Sequence, residues 1–181
     1  MSPDERLVTS QTGAEESPRL LGAKSVLAVV EKHHGEMAAK LREFARAAAQ
    51  QKCSNGKLDV TLGEAAKYLA GEILPHALAE ENSVYLVARE LGLGRLIDAM
   101  VYEHGFLAEL IASLESPVEA DPAGVLRAIA EFFVAHAEKE NRFILPICLS
   151  VASPMTPDEL LSTLAAEFRT AQHRSAAIRA E

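Results

Sequence analysis

The sequence predicts an all-α protein: an antiparallel up-down four-helix bundle followed by one extra C-terminal helix. Three observations predict it. Alanine and leucine, both strong helix formers, dominate the chain, while aromatics make up 5% and tryptophan is absent. Apolar residues recur every three or four positions over four long stretches, and period-two alternation is hard to find. Capping residues, prolines and glycines punctuate those stretches, and short connections between long helices favour antiparallel neighbours. The 181 residues suit one domain with a sizeable core.

Taken in order, residues 1 to about 20 are rich in Ser, Asp, Glu, Thr and Gly and read as a flexible N-terminal tail. Residues 21–152 read as the bundle and 153–181 as the C-terminal helix. The first helix runs from Ser25 to about Gln51 and ends at a turn signalled by Asn55 and Gly56. The second starts at Thr61, where Thr61 and Glu64 form a T-x-x-E capping box, and runs to about Leu91 before Gly92 stops it. The third covers about Arg95 to Leu114 and halts before Ser116–Pro117. The fourth takes Asp121 as N-cap and Pro122 as first helical residue, and reaches about Leu149, with Pro146 kinking or ending it. The fifth opens on Thr156, Pro157 and Glu159 and extends past His173. Helices one and two look like a first copy of the pairing made by helices three and four.

Charge and composition exclude several classes of function. A formal net charge of −8 repels nucleic-acid phosphates and anionic lipid. No run of 18 apolar residues exists to span a bilayer, and the polar N-terminus lacks the apolar centre of a signal peptide. The expected location is the cytoplasm. Cys53 and Cys148 form no C-x-x-C pair, so both read as ordinary reduced thiols.

Each long stretch carries a histidine on its apolar stripe. The rows are Leu27, Val30, His34, Met37, Leu41, Phe44; Ile73, His76, Glu80, Val84, Val87, Leu91; Ile97, Val101, His104, Leu107, Ile111, Leu114; and Ile129, Phe133, His136, Glu140, Phe143, Ile147. Helical spacing puts every member of a row on one face, and that face must point at the core. Four imidazoles and two carboxylates are thereby driven into one dry interior, each histidine near mid-helix and so at a similar height. Burying Glu80 and Glu140 ionised and unpaired would cost several kcal/mol each, so buried carboxylates are kept where they pair or bind metal. His76 and Glu80, like His136 and Glu140, lie one turn apart, a rise of about 6 Å that lets both side chains reach one point. Six ligands result. Two carboxylates can bridge two metals and two imidazoles can terminate each; mixed nitrogen and oxygen donors suit iron, with manganese a poorer second. His33 lies on a face that turns polar at Glu36 and Lys40, which makes His34 the inward residue and His33 a surface or supporting group. His173 falls outside the four-helix pattern.

The segments VVEKHHGEM, LPHALAEEN, MVYEHGFLAEL and FVAHAEKENRFILP, over about residues 25–150, resemble the hemerythrin-like family, or HHE cation-binding domain. The order H, HxxxE, H, HxxxE is that family's pattern, and HHGEM set against EHGFL aligns His34 with His104. The resemblance implies a non-haem di-iron centre: His34 and His76 on one iron, His104 and His136 on the other, Glu80 and Glu140 bridging. Two departures bear on function. Oxygen-carrying hemerythrins have a second histidine on the third helix, where this chain has Ala108, and an aspartate on the fourth helix, where it has Asn141 and uses Glu140 instead. One fewer histidine leaves the His104–His136 metal more open to water, peroxide or nitric oxide, favouring chemistry or metal release over reversible oxygen carriage. The pattern is also similar to bacterial iron-centre repair proteins, whose additional cysteine-bearing N-terminal domain this sequence lacks, which weighs against repair.

The function expected from the resemblance is a di-iron protein that responds to oxygen, nitric oxide or peroxide, or handles iron; the alternatives are an enzyme consuming peroxide or nitric oxide at the same site and an iron-centre repair protein. Glu81 and Glu109 are surface charges or outer partners of the ligands, and Tyr85 and Tyr102 line the site or pack the core. Pro75 removes a backbone hydrogen bond just before His76 and can kink the helix to aim it. The fifth helix, expected to be exposed, offers a surface to a partner or to a second copy of the chain in a homodimer.

Overall fold

Helix is the only regular structure among the described residues of the computed structural model, which are 17–51, 57–114 and 121–178. The turn at Asn55–Gly56, the stop at Ser116–Pro117, Cys53 and most of the N-terminal tail lie outside them. The elements are α1 (Pro18–Gln51), α2 (Lys57–Tyr68), α3 (Leu74–Glu81), α4 (Val84–Glu90), α5 (Gly94–Ser113), α6 (Pro122–Lys139), α7 (Leu145–Cys148) and α8 (Pro157–Ile178). Five-residue π turns, Leu69–Ile73 and Glu140–Ile144, join α2 to α3 and α6 to α7.

The first helix begins seven residues before the expected Ser25. Pro18 takes the first helical position, and the Arg19 guanidinium donates to the carbonyls of Ser150 and Met155, each at 2.8 Å, tying that turn to the loop before α8. Thr61 does not cap its helix: α2 starts at Lys57, and Thr61 is buried in the second turn. The third and fourth helices start and the fifth runs as expected. Asp121 sits in extended conformation before Pro122, and Thr156 and Glu159 bond reciprocally, with Glu159 N–H donating to Thr156 Oγ1 and Thr156 N–H to the Glu159 carboxylate.

The second helix is less regular than its pattern suggests. It breaks at Asn82–Ser83, where Ser83 adopts φ −138°, ψ −85°, and restarts as α4. Gly92 then ends α4 with φ +87°; its amide bonds Arg89 O and that of Leu93 bonds Ala88 O, a left-handed stop that favours glycine.

Both prolines inside helices are accommodated by wide turns and terminate nothing. Proline has no N–H and its ring crowds the carbonyl four residues back. Ahead of Pro75, Leu74 N–H reaches Leu69 O; ahead of Pro146, Leu145 N–H reaches Glu140 O. A turn closed over five residues inserts one residue into the helical period and rotates everything after it. Phe143 and Ile147, expected on the inward stripe, are therefore exposed, while Ile144, Leu145, Cys148 and Leu149 are buried.

Two apolar clusters fill the interior. Met37, Leu41, Ile73, Leu107 and Phe133 belong to one; Val30, Val84, Met100 and Ile144 belong to the other. On every long helix the histidine falls at the changeover: His34 between Val30 and Met37, His76 between Ile73 and Val84, His104 between Met100 and Leu107, His136 between Phe133 and Ile144. The polar residues thus form one layer across the waist of the helical bundle. Helix α8 packs on α3 and α1, burying Leu160 and Ala171, so the fifth helix is not the unpartnered surface expected. No helix among the described residues is long and apolar enough to cross a membrane.

Candidate metal centre

The six residues picked from the stripes, His34, His76, Glu80, His104, His136 and Glu140, meet in that layer, and none is more than 6% exposed. Each comes from a different turn of the fold: α1 brings His34, α3 brings His76 and Glu80, α5 brings His104, α6 brings His136, and the second π turn opens on Glu140. They form two overlapping groups, His34–His76–Glu80–Glu140 and Glu80–His104–His136–Glu140, within each of which one ligand atom per residue lies within 4.8 Å of all the others. The two carboxylates are common to both.

Distances define how they are shared. Glu80 Oε1 lies 3.0 Å from His76 Nε2 and 3.4 Å from His34 Nε2, while its Oε2 faces His104 Nε2 at 3.7 Å. Glu140 Oε1 lies 3.5 Å from His136 Nε2, and its Oε2 faces His34 Nε2 at 3.7 Å. Each carboxylate turns one oxygen toward each imidazole pair. Glu80 Oε2 and Glu140 Oε2 are fully buried without a hydrogen-bond partner. An orphaned carboxylate oxygen in a dry interior is expensive, and a cation is the partner that suits it.

The imidazoles point to the same conclusion. His104 Nδ1 donates to Glu81 Oε1 at 2.8 Å, His136 Nδ1 to Glu103 Oε2 at 2.9 Å, and His34 Nδ1 to Asn141 Oδ1 at 2.9 Å. A ring that donates through Nδ1 presents a lone pair at Nε2 when neutral. Yet His104 and His136 bring their Nε2 atoms to 3.0 Å, and His34 and His76 theirs to 3.1 Å. In the His104–His136 pair, where both rings donate through Nδ1, lone pairs facing at that distance need positive charge between them. Protons supply it in the metal-free fold: although burial works against the charged ring, Glu140, Glu80 and Glu103 push His136 up to about 9, and Glu80, Glu140 and Asn141 raise His34. Burial opposes the Glu80 charge as well, but His76 and His34 hold that carboxyl well below its usual range. The residues fit a pair of cations: nitrogen and oxygen donors in the mix that structural and catalytic metal sites use, each imidazole held from behind by a hydrogen bond where one exists.

The supporting partners follow a rule of adjacency. Glu81 sits next to Glu80, Glu103 next to His104 and Asn141 next to Glu140. Each is one step round its helix from a candidate ligand and reaches the ligand of a neighbouring helix. His33, next to His34, follows the rule in place, its ring 5.3 Å from that of His76 and edge-on to it. His76 is the exception in bonding: its Nδ1 has no hydrogen bond among the described residues. Sequence reading weighed Glu81 and missed Glu103, whose only local signal is its place before His104. Lys139 pairs with Glu103 on the outer side. Glu109 is a surface charge and His173 is exposed.

Of the two tyrosines weighed, Tyr102 is 77% exposed and Tyr85 is fully buried. The Tyr85 hydroxyl donates to Glu140 Oε1 at 2.6 Å and lies 3.3 Å from His136 Nε2 and 3.4 Å from His104 Nε2, with its ring stacked on His104. Burial, then the charges of Glu140 and Glu80, hold its phenol protonated well above the usual range.

A family model described as the hemerythrin HHE cation-binding domain matches residues 25–148. No curated protein and no solved structure gives a significant match.

Proposed function

The chain belongs to the hemerythrin HHE cation-binding family, and on that premise we propose that it is a non-haem di-iron protein that responds to oxygen, nitric oxide or peroxide, or handles iron, in a cytoplasmic setting. In this reading the long helices run antiparallel, up and down. His34 and His76 would hold one iron and His104 and His136 the other, with Glu80 and Glu140 shared by both. One observation carries the assignment: two buried carboxylates each divide their oxygens between the two imidazole pairs, and each keeps one oxygen with no hydrogen-bond partner. The mixed donors favour iron, with manganese second. Iron held there supplies redox change and open coordination positions for a small ligand.

The protein's own part is orientation, charge and proton handling. Glu81, Glu103 and Asn141 fix the ring planes of His104, His136 and His34. The two apolar clusters exclude water on either side of the polar layer. Tyr85 holds a proton at its hydroxyl, within reach of the His104–His136 half. That hydroxyl favours a second reading, an enzyme that consumes peroxide or nitric oxide, because a buried O–H beside that half can donate a hydrogen bond to a bound substrate.

Anaerobic loading of the metal-free chain with iron(II), followed by metal analysis and optical spectra before and after air and nitric oxide, tests the proposal. About two irons per chain and a spectrum that changes with the gas support it; a folded chain that takes up none defeats it. Turnover of peroxide or nitric oxide by the loaded protein, lost in Tyr85→Phe at unchanged iron content, selects the enzymatic reading.

A further inference from the structure

Helix α8 lies beyond the segment that matches the family, yet it walls one side of the centre. Between α8 and α1 is a cavity of about 190 Å³ lined by Val29, Val30, Leu161, Leu164, Ala165 and Phe168, with the rings of His33 and His76 at its inner end. Val29, half exposed, is at the surface, and Val30 and His76 are buried. Phe168 meets both imidazoles edge-on, its ring centre 5.8 Å from that of His33 and 6.2 Å from that of His76. Gln172 fastens the helix beside this point by donating to Gly71 O at 3.3 Å, the carbonyl four residues before Pro75 and so the one that proline leaves without its usual helical donor.

Size and lining decide what such a space can hold. Drug-sized ligands need cavities of roughly 300 Å³ or more, so they are excluded. Six of the eight lining residues are apolar, and the two imidazoles are the only polar side chains in the lining. An apolar-walled space of about this size suits a small apolar guest such as xenon. The position is equally selective. His34, His104 and His136 are each held from behind by Asn141, Glu81 or Glu103; the His76 ring, with no such acceptor among the described residues, is part of the lining of this cavity.

We propose that the cavity roofed by α8 is a holding site for an uncharged diatomic gas, dioxygen or nitric oxide, which reaches the centre past the untethered ring of His76. The role of the guest rests on the di-iron reading; the existence of the site does not. The test therefore has two arms. In the first, crystals of the full chain under xenon pressure show a xenon atom between Val30, Leu164 and Phe168, and the Leu164→Trp chain shows none. Ala165→Phe serves the same purpose if Leu164→Trp fails to fold. In the second, stopped-flow mixing of the iron-loaded chain with nitric oxide gives an association rate at least about fivefold slower in the filled variant, at equal iron content and helicity. A wild-type cavity without xenon overturns the site, and an unchanged rate in a variant that has lost the xenon overturns the route. A chain that takes up no iron refutes the di-iron reading, while the xenon arm still decides the cavity.

Discussion

The two halves of the centre are not equivalent, and they should fill in order. Glu81 and Glu103 stand behind His104 and His136 at 2.8 and 2.9 Å, so both imidazoles of that half are oriented and made more basic by carboxylates. The other half has one neutral amide, Asn141 behind His34, and His76 with no acceptor among the described residues. Removing such a partner from a metal-bound histidine typically costs 10–100-fold in affinity, or about 1.4–2.7 kcal/mol. The His104–His136 half should therefore bind its metal at least about tenfold more tightly than the His34–His76 half. Replacing Glu103 by alanine should weaken the tighter step by about 10–100-fold and leave the weaker step within about threefold. Its cost to the metal-free fold should stay near 1 kcal/mol, because the carboxylate and its Lys139 partner are partly exposed. Titrating the metal-free chain with iron(II) or cobalt(II) against a chromophoric chelator resolves both steps. A single step in the wild type, or a loss confined to the weaker step in Glu103→Ala, refutes the reasoning.

Other consequences concern proton, packing and turn. His136 is raised to about 9 in the metal-free fold, so the stability it adds is fully present below about 6.5 and is lost as pH rises through 9, by up to about 3 kcal/mol. Glu80 is depressed, so its contribution is present above the usual carboxyl range and disappears as pH falls through its lowered value. Denaturant titrations from pH 4 to 10 should thus show metal-free stability highest near pH 5–6.5, with the alkaline decline absent once metal is bound. Metal uptake near pH 7.5 should release a proton from His136, read by calorimetry in two buffers of different ionisation enthalpy. Tyr85→Phe removes a buried hydroxyl that donates to a carboxylate, and should lower metal-free stability by about 1.5–3 kcal/mol in the same titrations. Deleting the exposed Arg142 should restore ordinary helical spacing after Glu140 and leave Ile144 and Leu145 facing the core, three and four residues on, while the Pro146 ring then crowds the Asn141 carbonyl, a cost of about 3 kcal/mol in chemical denaturation.

The candidate ligands were legible because amphipathicity is a strong constraint: a histidine spaced three or four residues from Val30 and Met37, or from Met100 and Leu107, has nowhere to point but inward. The capping signals were legible where a proline or glycine fixed them, at Pro122, Pro157 and Gly92. Thr61 misled because a T-x-x-E pattern marks a helix start only when the preceding residues are not helical, and Lys57 to Val60 carry nothing that forbids a helix. Phe143 and Ile147 misled because their placement assumed 3.6 residues per turn through Glu140–Ile144, where a proline downstream enforces a wider turn. In retrospect the repeated Ile-Leu-Pro at Ile73–Pro75 and Ile144–Pro146 was the signal. Glu103 and the role of Glu81 were hidden for a different reason. Both lie one step off the stripe, where a carboxylate usually faces water, and only the neighbouring helix reveals that an imidazole is waiting there. The contacts of α8 with α1 and α3 are likewise tertiary facts with no local pattern.

The most direct measurement is diffraction from crystals of the iron-loaded chain on either side of the iron absorption edge. Two anomalous peaks are expected in the polar layer, one between His34 and His76 and one between His104 and His136, both bordered by Glu80 and Glu140. A folded chain with no peak in that layer, or with iron only among surface carboxylates, would contradict that expectation.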